Sequence, residues 1–283
     1  MSAALESERA LPPPPWGASL TRWLWLGPLL ATMLVPFLWM VAISLAPHAG
    51  ESLGRALRGP WDLSHYRTLF GYAAVPRYIL NSALVAAAVV ALNVITAAMV
   101  GYVLGRRRVP GERFWTLGLV ATLMLPKQVL MVPLFLVMTR LHLLNSYAAL
   151  ILPFAVDAFG IFLVRQYVSH LPLELEEAAR MDGASDWQIF TSIVLPLLRP
   201  VLAVVAIHSI LTNWNSILIP LVFVNSDQLR TLPVGLALLA QGEHSVDWGL
   251  LMAGSTVASL PVLAAFVAFQ RHIMSGLLAG AEK

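Results

Sequence analysis

The chain has 283 residues, 58% of them hydrophobic and 12% charged, with a net charge of +3 and no cysteine. Soluble domains are nearer half apolar and a quarter charged, so this composition excludes a large soluble core and points to a polytopic, all-α membrane protein. The missing cysteines exclude disulfides, a thiolate nucleophile and Cys-ligated metal or iron–sulfur sites.

Residues 1–22 are polar, then proline-rich at 12–15, and read as a disordered cytoplasmic tail. An apolar run of about 20 residues crosses a bilayer. Residues 23–46 carry no charge and form the first expected span, too long for a signal-peptide core. Residues 47–77 are polar and read as an extracytoplasmic loop with room for short surface helices. The rest of the fold, residues 78–270, reads as a five-helix core.

Its first span, 78–105, has small residues at Ala87, Ala91 and Ala98 for close helix packing. Arg106, Arg107 and Arg108 follow, then a Pro110-Gly111 turn. Residues 114–139 form the third span, interrupted by Pro126-Lys127-Gln128, and 147–164 the fourth, which contains Asp157. Residues 201–224 form the fifth, with His208, Asn213, Trp214 and Asn215, and 248–270 the sixth. Residues 232–240 are apolar but too short to span, and 271–283 read as a short cytoplasmic tail.

Six spans put both termini on one side. Eleven of the eighteen lysines and arginines fall on the side of the termini, the 106–113 turn and the 165–200 stretch, which makes that side cytoplasmic. The same rule explains the basic excess without nucleic-acid binding.

Residues 165–200 are the longest polar insertion in the second half of the chain. Pro172 suits a helix start, and Glu174, Glu176 and Glu177 favour the positive end of a helix dipole. The helix runs to about Asp182, where Gly183 fits a left-handed stop. Ser185 and Gln188 form a capping-box pattern for a second helix, to which Trp187, Ile189 and Phe190 give an apolar surface. Pro196 marks the turn towards the fifth span. The expectation is a cytoplasmic helix–turn–helix that docks a partner.

Glu177-Ala178-Ala179, three residues, Gly183, nine residues, Ile193, one residue and Leu195-Pro196 resemble the EAA loop of binding-protein-dependent ABC importer permeases, with all seven fixed positions matched. Asn81-Ser82, the 160–166 stretch GIFLVRQ, Asn213-Trp214-Asn215 and the 230–236 stretch RTLPVGL resemble the carbohydrate branch, of the type that serves as the second permease of a maltose importer. The resemblance implies a type I importer permease fold in the bacterial inner membrane. It implies partners: an ABC ATPase dimer that binds the ATP, a second related permease, and an extracytoplasmic solute-binding protein. It makes the loop a coupling helix, with Glu177 pairing with a basic residue of the ATPase, Gly183 allowing the bend, and Asp182, Ala184 and Trp187 beside them.

Lys127 and Asp157 are unusual. Intramembrane charges are costly, face the protein interior and tend to pair. Lys127 lies sixteen residues before Leu143 and Asp157 fourteen after it. At about 1.5 Å per residue their depths differ by only about 3 Å, so the two form an expected ion pair. Neutral residues are usual at both places in the resembled family, so the pair is a departure. It is either a structural lock or part of the translocation path. Asn213, Trp214 and Asn215 suit a sugar path, since amides bond hydroxyls and an indole stacks on sugar faces; interhelical hydrogen bonding is the other reading. Asn93 and Gln128 are further path candidates.

No GxxxxGK[ST] pattern is present, so ATP hydrolysis belongs to a separate subunit and the chain itself needs no cofactor. No histidine spacing suggests a metal site. A permease for an amino acid, peptide or polyol shares the loop. A secondary transporter leaves the loop unexplained, and a membrane enzyme lacks a catalytic cluster.

Overall fold

Within a bilayer every backbone polar group must be satisfied inside its own segment, so long apolar runs become helices. A computed structural model describes residues 16–47, 59–107, 109–239 and 247–281, and all regular structure among these residues is helical. The helices are α1 (Trp16–Leu45), α2 (Ser64–Gly71), α3 (Val75–Arg106), α4 (Glu112–Met124), α5 (Met131–Arg140), α6 (Tyr147–Ile151) and α7 (Ala158–Ser169). They continue with α8 (Glu174–Met181), α9 (Asp186–Leu197), α10 (Arg199–Trp214), α11 (Leu218–Phe223), α12 (Leu232–Leu239) and α13 (Trp248–Ala281).

Among the described residues, four segments are long and apolar enough to cross a bilayer: Trp23–Leu45, Val75–Arg106, Tyr147–Ser169 and Trp248–Gln270. A fifth candidate is the pair α9 and α10, bent by 73°. The expected third span is not one helix. Pro126 lacks an N–H and pushes Leu125 to an extended backbone (φ −84°, ψ 122°), so α4 ends at Met124 and helix resumes only at Met131. The expected fifth span stops at Trp214, where Asn215 leaves the helical region (φ −89°, ψ 5°); residues 215–217 break the run before the short α11, which itself contains Pro220. The fourth span is irregular, with a 3-10 turn at Leu152–Phe154 and a non-helical Asp157.

Both expected tails are shorter than read. Helix begins at Trp16, directly after the proline run, and α13 continues past Gln270 to Ala281 because nothing in that stretch breaks it. Residues 1–15 of the expected tail, 48–58 of the first loop, Arg108, residues 240–246 of the last loop and 282–283 lie outside the described residues.

The hub is α3. At 32 residues it is about 48 Å long, against a hydrocarbon core of about 30 Å, so one end projects beyond the membrane. It packs mainly along α7 and α10. Its buried stripe is Val85, Ala86, Val89, Asn93, Ala97, Gly101 and Leu104. Of the small residues expected at this contact, Ala98 is buried but Ala87 and Ala91 are exposed. Alanines surround this helix, so small size alone did not fix its face. The close approach is set at Gly101, where a Cβ would lie 2.7 Å from Val164 Cβ, and at Gly105, where it would lie 2.9 Å from the Arg165 carbonyl oxygen.

At the other end of α3, Asn81 Nδ2 donates to the carbonyls of Gln228 and Arg230, both at 2.9 Å, and its Oδ1 accepts from Tyr147 Oη at 2.8 Å. α13 packs on α1 and α10. Among its described side chains, α1 buries only its last turn, at Ala42, Ile43 and Ser44, with Ala46 buried just beyond it, while residues such as Trp25 point outward.

Candidate functional site: a docking knuckle and an intramembrane cleft

α8 stops as its sequence dictates. Gly183 has φ +82°, its N–H donates to the Arg180 carbonyl at 3.0 Å, and the Ala184 N–H reaches back to the Ala179 carbonyl at 2.9 Å. That pair of bonds is a Schellman cap with Gly183 in the left-handed position. Ser185 then caps α9: its hydroxyl accepts from the Gln188 N–H while Gln188 Oε1 accepts from the Ser185 N–H at 2.8 Å. The two helices therefore meet at a fixed elbow of four residues, 182–185.

Glu176 fastens this elbow to the membrane core. It is 3% exposed, and its carboxylate accepts from Arg106 Nε at 2.8 Å and from Tyr102 Oη at 2.9 Å. Arg106 also donates to the carbonyl of Leu171 at 2.6 Å. Arg107 pairs with Asp186, and that hydrogen bond holds the exposed Asp186 carboxyl below the ordinary aspartate range. Arg180 lies 3.8 Å from both Glu176 and Asp186. Below these charges, Ile189, Phe190, Val194 and Leu198 bury against α3 and α7, and the Phe190 ring sits 5.3 Å from that of Tyr102. Beyond Leu198 the chain bends into α10, two residues later than the turn expected at Pro196.

What remains outside is the motif face. Glu177, Ala178, Asp182, Gly183 and Trp187 are exposed; Ala179, Ala184, Ile193, Leu195 and Pro196 are half-buried. Met181 is 89% and Trp187 63% exposed, on an elbow that projects beyond the core. Of the apolar surface expected here, Trp187 faces out while Ile189 and Phe190 face in. Sequence reasoning singled out Glu177 and missed Glu176 as the anchor. The available signal was Arg106 at the end of α3, a base that needs an acid.

The second locus is a cleft of about 510 Å³ among α4, α5, α7 and α10, with Asn93 of α3 at its wall. Lys127, in the break between α4 and α5, places Nζ 3.8 Å from Oδ1 of Asp157, in the break before α7. Asp157 Oδ2 lies 3.5 Å from His208 Nε2, and the His208 ring packs at 4.5 Å on Phe159. Asn93 Nδ2 donates to Ser209 Oγ at 2.9 Å. Asn213 also lines this cleft. Gln128 and Asn215 line an adjoining one of about 300 Å³. Trp214 lines neither: it is buried, and its indole N–H donates to the Ala258 carbonyl of α13 at 2.9 Å. His208, given no role in the sequence reading, lies beside the charged pair.

The family described as binding-protein-dependent transport system inner membrane component matches residues 97–277. An arabinooligosaccharides transport system permease protein of Halalkalibacterium halodurans is 40% identical over 203 residues, 72% of each chain. A lactose transport system permease protein of Rhizobium radiobacter is 34% identical over 246 residues, covering 87% of this chain and 89% of that one. The crystal structure of a bacterial ABC transporter involved in alginate import contains a chain of the same fold, with a TM-score of 0.80 and 23% identity over 90% of this chain and 96% of that one. Fold and knuckle thus define a multi-pass membrane permease of ABC type. The chain belongs to the binding-protein-dependent transport system inner membrane component family.

Proposed function

We propose that this chain is one permease of an ATP-driven importer, forming half of the path for a sugar or oligosaccharide. The observation that carries the reading is the docking knuckle: an exposed motif face, Glu177 to Trp187, on an elbow locked to α3 through Glu176 and Arg106. Such an element moves as a lever, so force applied outside the membrane reaches α3, α7 and α10 without being absorbed by a flexible loop. A separate ATPase dimer supplies that force. A solute-binding protein delivers the sugar on the opposite side, and a second, related permease completes the path.

Saccharide as cargo is supported by the relatives, whose names include arabinooligosaccharide, lactose and diacetylchitobiose transport. It is also supported by the polar residues of the two clefts, Asn93, Gln128, Asn213 and Asn215. Six crossings follow if α4 with α5 makes one broken span and α10 with α11 another. Both termini and the knuckle then lie in the cytoplasm, with the chain in the bacterial inner membrane. Mild-detergent purification of the tagged chain from its native membrane tests this. An ATPase and a second permease should co-purify; recovery of the chain alone, even after gentle crosslinking, would remove the importer reading.

A further inference from the structure

Two ion pairs in this chain are built differently. Arg106 and Glu176 meet at 2.8 Å with side chains 9% and 4% exposed. Lys127 and Asp157 stand 3.8 Å apart, beyond hydrogen-bond range, with Lys127 57% exposed. The first pair is a lock. The second is a poor one: each partner keeps unused bonding capacity and both open on the same cleft.

The capacity is specific. Asp157 Oδ2 is buried and makes no hydrogen bond among the described residues, for His208 approaches it at 3.5 Å without bonding geometry. Asn93 Oδ1 is also buried without a hydrogen bond among them. Buried polar atoms are normally satisfied, so these two acceptors call for a donor from outside the chain. Lys127 Nζ supplies a donor on the same wall. Asp157 precedes α7 in the N-cap position yet makes no side-chain capping bond, so the helix does not occupy its carboxylate. Discontinuous helices are where transporters place polar groups for cargo.

The mixture defines the ligand. A carboxylate or phosphate would meet Asp157, and a cation would meet Lys127. A hydroxyl group both donates and accepts, and so matches Asp157, Asn93 and Lys127 together. Phe154, whose ring centroid lies 5.8 Å from Lys127 Nζ, and Phe159 add apolar faces for the C–H side of a sugar ring. At about 510 Å³ the cleft falls within the range of about 300–1,000 Å³ usual for small-molecule sites. We propose that Lys127, Asp157 and Asn93 form a hydroxyl-binding subsite for a neutral saccharide, so that this permease contacts its cargo directly. The proposal rests on the saccharide reading above.

The test uses the native importer complex, purified through a tag on this chain and reconstituted in proteoliposomes with its binding protein. Uptake of radiolabelled lactose, maltose and arabinotriose is measured, with digalacturonate as the charged comparison. Asp157→Asn and Lys127→Met are assayed singly and together, beside Asn93→Ala, which keeps both charges. The double variant removes both charges at once and so retains assembly. Its kcat/KM for the transported sugar should fall by about ten- to a hundredfold, while the ATPase and the second permease still co-purify with the chain. Asn93→Ala should fall in the same direction. Double-variant transport at wild-type kcat and KM overturns the subsite and makes the pair an interhelical contact, leaving the saccharide reading intact. Wild-type transport of digalacturonate in preference to every neutral sugar overturns the neutral-ligand assignment. Failure of the wild type to carry any of the four overturns the saccharide reading and the subsite together.

Discussion

Arg106 Nε lies 2.8 Å from Glu176 Oε1, joining the last turn of α3 to the first turn of the docking elbow. Glu176 and Glu177 are neighbours in sequence but point about 100° apart around the helix, enough to bury one and expose the other. One acid is 3% exposed and holds the elbow; the next is exposed and makes no ion pair among the described residues.

Glu176→Ala leaves the Arg106 guanidinium buried without its counter-ion. Breaking one side of a buried pair costs about 3–5 kcal/mol. The expected result is a lowered melting temperature for the purified complex and loss of the ATPase on size exclusion. Replacing both partners by leucine should recover part of the loss, since no lone charge is left buried. A melting temperature unchanged in Glu176→Ala would show that the elbow is held by its apolar contacts alone.

Glu177→Arg should behave in the opposite way. The residue is exposed, so insertion and melting of the permease stay near wild type, within about 0.5 kcal/mol. The reversed charge should release the ATPase and stop transport. Wild-type transport by this variant would remove the coupling role given to Glu177.

Much of the elbow was legible because its signals are local. Gly183 and the Ser185–Gln188 box act over four residues, and both appear where the sequence puts them. The Lys127–Asp157 approach was legible from the short α5–α6 connection, which makes two segments antiparallel and equates depths. The breaks at 125–130 and 215–217 were less so. Membrane helices tolerate proline, and Pro28, Pro36 and Pro261 lie inside continuous helices here, so a proline alone does not announce a break. The orientation of Trp214 was not legible either, because the partner of its indole, Ala258, is a backbone carbonyl 44 residues away and carries no side-chain signature.

Trp214→Phe tests that orientation. The substitution keeps an aromatic ring and deletes the N–H bonded to Ala258, a loss of about 1 kcal/mol. A small drop in complex stability with unchanged KM is expected. A KM shift without loss of stability would return Trp214 to the sugar path.

Gly101→Ala should be more damaging than an alanine in a helix usually is. Alanine favours the helix intrinsically, yet its methyl would lie 2.7 Å from Val164 Cβ, and two backbones rather than a flexible side chain would have to separate. Overpacking of this kind costs about 1–3 kcal/mol. The check is the thermal midpoint of Gly101→Ala against Gly118→Ala, where a Cβ would meet nothing within 4 Å. Equal midpoints would mean that α3 and α7 are not in this close contact.

The Arg107–Asp186 contact gives a pH test with a definite sign. The hydrogen bond from Arg107 depresses the Asp186 carboxyl in the folded protein, whereas in the unfolded chain it titrates near the ordinary aspartate value of about 3.9. A depressed folded value means that the unfolded chain takes up the proton first as pH falls. The contact therefore contributes fully above about pH 4 and is lost as pH drops through the lower, folded value. Hydrogen exchange at residues 182–190, compared between wild type and Asp186→Asn and corrected for intrinsic rates, reads this directly. At pH 6 the wild type should be better protected, and the difference should begin to shrink only as pH falls below about 4. Equal protection of the two proteins at pH 6 would mean that the Asp186 charge does not tie the second helix of the elbow to the end of α3.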